Sequence, residues 1–489
     1  MPSNRRMRST YLAMTSLALL MGLAVVADAL PTTGLEQYRE RQGPDLIPGL
    51  DRFTKRNAEM LRQGLIKISP MRHSPARLAS NSAAAVALYG KPCPPPDEEK
   101  LKAGILPSTA LLPAVDKTLP PGVMEVSLVC DSEDLFGTER GIITHPMMRG
   151  HDSERLTWLS ARLGNDLFVE SPLGLRVHGG LSRQIPVKSF AMVFRKDYCG
   201  TNLSPPGLFF GPETPPARQF LLVGASHIDR YLGALATDIA DLIGCKTSKH
   251  APAIVYLNGT RIDAPYFVYE QQSEEFVKSH FGLQNFDWVR LKDKATEETA
   301  AYKAMDKWTR KMSARMTFQD AATRFNLQDL CAWVVAMSYT ITVDNNQGGF
   351  YRDQDNPKAA WQSLVWDLDG AFKRGFEGDV ERTKMFAEHP FQWVLLGLRA
   401  RLFKRLMKES AEFRDYFREF AHEKVTQKLT REKLMELSDR YLVIAKLQPK
   451  LEPALTPVLQ QAREFLATRN EAFLAYVDRY ASEVGREAE

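Results

Sequence analysis

The sequence predicts an α+β protein of two lobes, a strand-rich half followed by a helix-rich half. Three observations carry this expectation. Between Glu125 and Glu270 the apolar residues fall in short alternating runs bounded by Gly, Pro and Asn. After about Ser273 they recur at helical spacing through to the C-terminus. The two kinds of segment are segregated along the chain rather than alternating, which argues against a doubly wound parallel sheet. At 489 residues and 44% hydrophobic composition the chain suffices for a large core, and it contains no internal repeat.

In chain order, residues 1–29 read as a signal peptide. Arg5, Arg6 and Arg8 precede an apolar run from Tyr11 to Val26, and Ala27-Asp28-Ala29 fits an A-x-A cleavage site. The run, about 16 residues broken by Thr15 and Ser16, is short of the ~20 that an uncleaved anchor needs. The expectation is therefore export, to the medium, the periplasm or the cell envelope, with no stable membrane insertion after cleavage. Losing three Arg and one Asp takes the formal charge from +5 to +3. So mild a charge gives no case for nucleic-acid binding, which shows as a dense basic face. Residues 30–119 read as a polar, Pro-containing extension of partial order, with Lys91 to Lys100 its clearest linker. The five cysteines (Cys93, Cys130, Cys199, Cys245 and Cys331) form no C-x-x-C pair, which excludes a zinc ribbon or a thioredoxin motif. Cys331, inside a helical apolar pattern, reads as a buried core thiol.

Residues 120–272 form the strand-rich lobe. Its expected strands are Glu125 to Cys130, Gly174 to His178 and Phe190 to Phe194, with a hairpin whose Asn258-Gly259 turn joins Ala253–Leu257 to Tyr266–Tyr269. One helix interrupts them, Arg230 to Ile243, with Leu232, Leu235, Ile239 and Leu242 on one face and Gly244 at its end. Residues 273–485 form the helix-rich lobe. Asn326 and Asp329 read as an N-cap and a first-turn acid, and Leu330, Val334 and Met337 as the stripe of a helix that leads to Asp344. Thr456-Pro457 is expected to open the last helix, a packing helix with Leu459, Ala462, Leu466, Phe473, Val477 and Tyr480 at helical spacing.

The chemistry concentrates in two segments. In Thr342 to Phe372, Phe350–Arg352 reads as a strand, Asp355-Asn356-Pro357 as a turn and Trp361–Trp366 as a returning strand. The hairpin would bring Asp344 and Asn346 near Asp367 and Asp369. Oxygen ligands converging from its two ends suit Mg²⁺, which shares its shell with substrate phosphates, and this is the layout of a phosphoryl-transfer site. Asp367 follows the apolar Leu364-Val365-Trp366, so it is expected at the end of a buried strand, where a carboxylate needs a metal or a basic partner. Asp353 and Asp355 read as surface turn residues. The second segment is Arg176 to Phe194, RVHGGLSRQIPVKSFAMVF. Gly179 and Gly180 permit close backbone approach to a ligand, and Arg176, Arg183 and Lys188 set three cations around them. Lys188 begins an alternating strand, from which a lysine reaches nucleotide phosphates. A tight turn with solvated charges is the bland alternative.

No Walker A, GxGxxG or HExxH pattern competes with these segments. His145, His151 and Asp152 have no spacing that aims them at one metal and read as surface residues. Gly224-Ala-Ser226-His227 lacks the closing Gly of a nucleophile elbow.

Over about residues 120–480 the chain resembles the CotH kinase family, the spore coat protein H group of atypical kinase-like proteins. The resemblance rests on Gly141-Ile-Ile, R-V-H-G-G-x-S-R-x-x-P-x-K-S-F at 176–190 and V-Y-L-N-G-T with Tyr269-Glu270. It rests further on D-N-N…F-Y-R-D at 344–353, W-D-L-D-G-A-F at 366–372 and the closing F-L-A-T-R-N-E-A-F. It implies an atypical protein kinase-like fold with ATP and Mg²⁺ in the cleft between the lobes. Lys188 would then contact the phosphates beside Arg176, Arg183, Gly179 and Gly180. Asp344 would be the catalytic base or orienting acid, Asp367 the metal ligand and Asp369 its helper. Asn346 would be the second metal ligand. The run Asn345-Asn346-Gln347-Gly348-Gly349 departs from the family's pattern, so Asn345 or Gln347 are alternatives. Glu270 would be a hinge or nucleotide contact. The 222–230 segment also departs from the family's L-R-N-D-like run. The function implied is an exported kinase acting on Ser or Thr of a protein substrate. The alternative is a secreted, non-catalytic relative that binds at an envelope or coat surface, and transfer to a small molecule or glycan also stays open.

Overall fold

The structure is a computed structural model. It describes residues 119–487 apart from 131–133, 136–140, 164–165, 185–186, 200–201, 205, 212, 225–228, 258–259, 263, 265, 311–314, 373–386 and 450. The expected signal peptide, the extension up to residue 118 with Cys93, the Asn258-Gly259 turn and Ser226-His227 lie outside the described residues.

Helices and strands are both abundant, and the strands gather in the N-terminal part. One sheet contains β1 (Met124–Cys130), β2 (Arg155–Leu163), β3 (Asp166–His178), β4 (Ser189–Val193), β5 (Gln219–Gly224), β6 (His250–Leu257), β7 (Thr260–Arg261) and β8 (Tyr266–Glu270). Its order is β1-β2-β3-β4-β5-β8-β6-β7, and β1 also pairs in parallel with β6. That pairing joins the two ends, so seven of these eight strands close into a barrel and the two-residue β7 is left on β6. Closure leaves no long unpaired edge. The expected hairpin is rearranged as a result. Past its turn β6 pairs first with β7 (Leu257↔Thr260), whereas β8 takes the earlier half of β6 (His250↔Tyr269, Ala253↔Tyr266).

Period-2 alternation sorts the barrel's side chains. Leu175, Met192 and Phe220 share one row and Val177, Phe190 and Leu222 another, all buried on the inner face. Arg176, Ala191, Leu221 and Tyr269 form the next row across β3, β4, β5 and β8, on the outer face. On that side Phe267 meets Tyr231 edge-on at 5.5 Å between ring centroids. Tyr231 belongs to α1 (Asp229–Ile243), which packs against the barrel and ends at Gly244 with φ 104°. The strand β2 escapes sequence reading because charges interrupt its apolar pattern. They are buried and matched, Arg162 donating to Glu125 on β1 at 2.5 Å.

After Glu270 come α2 (Glu274–Phe281), α3 (Ala300–Arg310), α4 (Leu327–Tyr339), α5 (Gly397–Glu409), α6 (Ala411–Gln427), α7 (Arg431–Ala445) and α8 (Glu452–Arg486). Asn326 caps α4, its side chain accepting from Asp329 N at 3.1 Å. Every residue from Asp329 to Tyr339 is buried, so α4 is the core helix, with Cys331 wholly inside. Burial also pushes the Cys331 thiol well above its ordinary pKa, as befits an inert core thiol. α8 starts at Glu452, one turn ahead of expectation. Leu455 N already bonds Leu451 O at 2.9 Å, with Pro453 in the first turn and Pro457 inside, where it withholds one helical donor.

A second, three-stranded sheet carries the acidic hairpin: β9 (Phe286–Arg290), β10 (Gly349–Asp353) and β11 (Gln362–Leu364), with β10 central and antiparallel to both neighbours. The returning strand is shorter than expected because its flanks pair elsewhere. Trp361 bonds Arg324 O and Asn326 N, and Val365 N donates to Lys246 O.

Candidate active site

The two ends of the hairpin meet. Val343 N donates to Gly370 O at 3.2 Å and Phe372 N to Thr340 O at 3.0 Å, which sets the Asp344 loop beside the Asp367–Asp369 turn. Backbone strain gathers at the junction. Of five non-glycine residues with positive φ among the described residues, three lie here: Ile341 (51°), Asp367 (61°) and Phe372 (54°). Left-handed geometry is costly for a β-branched residue such as Ile341, and strain of this kind collects at functional sites. Asp367 is not the buried carboxylate expected from its apolar approach, since its side chain is 41% exposed. The positive φ turns the chain at the strand's end and leaves the carboxylate open.

Two buried arginines hold the junction. Arg399 on α5 donates to Ser363 Oγ (2.9 Å), Gln347 O (2.8 Å), Gly349 O (3.1 Å) and Leu364 O (2.9 Å), and so fixes both sides of the hairpin. Arg469 on α8 donates to Ser338 O (2.9 Å) and Tyr339 O (3.2 Å), satisfying carbonyls at the end of α4 where the chain leaves for Asp344. Burial lowers the Arg469 pKa to about 10. Sequence reasoning passed over both, although each lies on its helix's apolar stripe: Arg399 with Leu402, Phe403 and Leu406, and Arg469 with Leu466 and Phe473. A charge on the buried face of an amphipathic helix is the signal that could have found them.

The Asp367–Asp369 turn opens into a cavity of about 740 Å³ against the outer face of the barrel. Its walls come from β3 to β5 and β8 (Arg176, His178, Leu221, Tyr269), from α1 (Arg230, Gly233, Thr237) and from the hairpin (Trp366 to Asp369). Gly233 is required here. A Cβ on it would lie 2.7 Å from Asp369 Oδ1 and 3.1 Å from Asp369 Cα. Six cationic side chains line the walls, Arg149, Arg176, Arg183, Arg230, Arg290 and Lys292, against the carboxylates of Glu270, Asp293, Asp367 and Asp369. Among the lining side chains the cations outnumber the carboxylates, which favours negative charge in the cavity.

Several expected site residues stand in this wall. Arg176 donates to Gln219 Oε1 at 3.0 Å and lies 3.7 Å from the buried Glu154, with its pKa lowered chiefly by burial. Arg183 is 4% exposed and spans the loop, donating to Gly179 O, Pro146 O and Met148 O. Gly179, at φ 117°, permits that turn. Glu270 is a wall residue, its Oε1 accepting from His280 Nε2 at 2.6 Å.

Other expected residues stand elsewhere. Lys188 is one residue out of phase with the pocket-facing Ser189, and its Nζ donates to Arg183 O at 2.9 Å underneath the loop. Burial lowers its pKa to about 8. Asp344 lies at the rim, 54% exposed, with Lys292 Nζ on Oδ1 at 2.6 Å and Gln347 Nε2 on Oδ2 at 3.0 Å. Asn345 is buried in structural bonds to Thr342 O, Val394 O and Leu396 N, which removes it as a metal ligand. Asn346 sets its amide against Gly397, at the start of α5, and is not among the residues that line the cavity. His151, read as a surface residue, is 45% exposed and lies 3.8 Å from the buried Glu154.

The main functional residue that sequence reasoning missed is Arg230. Its Nη1 bonds Asp369 Oδ2 and lies 3.7 Å from Asp367 Oδ1. One cationic group thus sits between two hard carboxylates that open on the cavity, a donor pair that suits a small divalent cation shared with a ligand. Among the described residues no group of three or more His, Cys, Asp or Glu is placed to hold a metal unaided. A cation held by this pair would take the place that Arg230 Nη1 occupies. Arg230→Gln is therefore expected to tighten Mn²⁺ binding about threefold to tenfold, the scale of one or two partly exposed ion pairs. A Mn²⁺ titration followed by electron paramagnetic resonance reads this, and an unchanged affinity contradicts it.

His178 reports the field inside the pocket. Burial first, then Arg176, Arg290, Arg183 and Arg230, lower its pKa to about 3. The unfolded chain therefore takes up a proton between pH 6.5 and 3 that the folded protein refuses, and stability falls as the pH falls through this window. Urea titrations across it should show a steeper acid loss for the wild type than for His178→Gln. Equal slopes would contradict the placement.

Fold and site together define an α+β protein with a cavity walled by both cations and carboxylates. The profile of the family described as CotH kinase protein matches residues 175–455, more than half of the chain. The chain belongs to the CotH kinase family, and is a kinase-like protein. Among solved structures, one match is titled "Crystal structure of A Helicobacter pylori proinflammatory kinase CtkA", at 10% identity and a TM-score of 0.31, covering 60% of this chain and 94% of that one. A likeness of that size carries no weight here. No curated protein matches the chain.

Proposed function

We propose that this protein is an exported kinase, using a two-lobed cleft between barrel and helices to transfer the γ-phosphoryl group of ATP, with Mg²⁺, to Ser or Thr of a protein substrate. The observation that carries this reading is the meeting of Asp367 and Asp369 with the cationic wall in one cavity. A nucleoside triphosphate and a divalent ion together need both. The basic N-terminus, apolar run and A-x-A site support export.

In this reading Arg176 and Arg183 hold the phosphate chain, and Arg230 turns from the two carboxylates toward it. Asp367 and Asp369 would hold Mg²⁺, which when bound neutralises charge on the phosphates. Asp344 orients the acceptor hydroxyl and takes its proton. Lys292 and Gln347 fix its carboxylate, each on a different oxygen. Lys188 supports the loop from below through Arg183 O rather than reaching into the cavity.

A second reading, a secreted binding protein without turnover, is favoured by that same burial of the Lys188 ammonium and by the seating of Asn346 against Gly397, outside the cavity lining. Incubation with γ-labelled ATP, Mg²⁺ and candidate proteins separates the two. Transfer by the wild type, falling about 10²–10⁴-fold in Asp344→Asn, is the expected result. Nucleotide binding without any transfer would support the second reading.

A further inference from the structure

The three-stranded sheet has an open side. β9 is an edge strand, with β10 its ladder partner among the described residues. The bonds just beyond its ends fix its phase. Leu291 N donates to Gly348 O at 3.0 Å, and Asn285 O accepts from Gln354 N at 3.0 Å. Odd-numbered residues therefore turn their backbone groups toward β10, while Phe286, Trp288 and Arg290 turn theirs outward. The outward groups of Arg290 are closed off, its N–H donating to Thr296 Oγ1 at 3.0 Å and its carbonyl accepting from that hydroxyl at 2.7 Å. Among the described residues nothing bonds the outward N–H and C=O of Phe286 and Trp288. Phe286, Asp287 and Trp288 are only half-buried. The strand pairs with β10 without a bulge and contains no proline, two devices that blunt an edge.

This edge leads into the site. Two residues past Trp288, Arg290 lines the cavity, its guanidinium 5.6 Å from the centre of the Trp366 ring. Two further on, Lys292 donates to Asp344 Oδ1 at 2.6 Å. Trp288 and Lys292 are thus at most about 14 Å apart along the chain. A row of outward N–H and C=O groups is matched by another extended backbone, which presents the same groups at the same spacing. A helix cannot match it, because its own backbone groups are already bonded.

We propose that the acceptor polypeptide binds as an added strand on β9, pairing with the backbone of Phe286 and Trp288 and so leading its Ser or Thr to Asp344. The inference rests on the kinase reading above and adds to it how the substrate is held, by its main chain and in extended form. Acceptor hydroxyls in unfolded segments are then substrates, and those within helices are not.

The test measures transfer from γ-labelled ATP into a degenerate peptide library with Ser or Thr at its centre, N-methylated at one position at a time. Each methyl removes one backbone donor. Transfer should fall about fivefold to tenfold at alternate positions on one side of the acceptor, the scale of one hydrogen bond, and stay near the parent level at the positions between. Losses without alternation, or none, would overturn the added strand and leave the kinase reading standing. So would transfer into folded proteins but into no peptide, whereas transfer into neither would overturn both. In the protein, Trp288→Pro removes one outward donor at an edge position, where proline is tolerated. It should raise KM for the peptides about fivefold without changing KM for ATP, and Trp288→Ala, which keeps the N–H, should raise it less. Melting curves confirm that both variants are folded, and equal effects of the two would overturn the backbone pairing. Sedimentation tests the other occupant: a wild-type dimer that Trp288→Pro dissolves would assign the edge to a second copy of the chain and overturn the proposal.

Discussion

Asp367→Asn is expected to lower phosphoryl transfer by at least about 10²-fold while leaving the melting temperature nearly unchanged, the scale on which removing one preorganised electrostatic group acts. The two halves of this result have separate causes. Asp367 is 41% exposed and its closest ion-pair neighbour, Arg230, stays bonded to Asp369, so little folding energy depends on it. Asn tolerates the left-handed backbone that residue 367 adopts at φ 61°, so the substitution removes a charge without adding strain. What is lost is one of the two carboxylates proposed to hold Mg²⁺. Transfer assays over a range of Mg²⁺ concentrations, with thermal melts of both proteins, read the two halves. Wild-type transfer in the variant, or a large drop in its stability, would contradict the assignment.

Arg399→Ala is expected to show the opposite pattern, a loss of about 3–5 kcal/mol in stability from a residue that touches no ligand. Arg399 is 2% exposed, and its guanidinium lies over Phe350 at 4.5 Å and Trp333 at 5.4 Å. Burial lowers its pKa to about 9, with Cys245 and Asp329 opposing. Removal would leave the carbonyls of Gln347, Gly349 and Leu364 without this donor inside the core. The loss is a large share of the ~5–15 kcal/mol that holds a domain folded. Lysine should recover only part of it, because a point ammonium cannot reproduce a planar fork that reaches four acceptors. Urea denaturation gives the result directly. A change below about 1 kcal/mol would mean that Arg399 is not the clasp of the hairpin.

The contrast between these residues shows what was legible in the sequence. Segments whose apolar period matched one structure were read correctly: β1, β4, α1 and α4 with its Asn326 cap. The convergence of the Asp344 loop with the Asp367–Asp369 turn followed from a turn between two short apolar runs. Closure of the barrel was not legible, because the parallel pairing of β1 with β6 joins residues more than a hundred positions apart and leaves no local mark. β2 was hidden by Arg155 and Arg162, whose buried partners are set by tertiary structure. In the site, residue type located the cations, but strand phase decided which of them faces the cavity. Ser189 faces in, so its neighbour Lys188 does not. Arg230 was placed in a helix and given no role, since nothing in its neighbourhood announces the two carboxylates about 140 residues away that define it.

We read the cavity beside Asp367 and Asp369 as a magnesium–nucleotide site. The most direct measurement is the melting temperature of the mature protein with millimolar ATP and Mg²⁺ together, with ATP and a chelator, and with Mg²⁺ alone. A ligand well above its Kd must stabilise the native state. A clear rise of the wild type is expected with both ligands present, a smaller rise or none with either alone, and loss of the combined effect in Asp367→Asn. A melting temperature unmoved by the two together would contradict this reading.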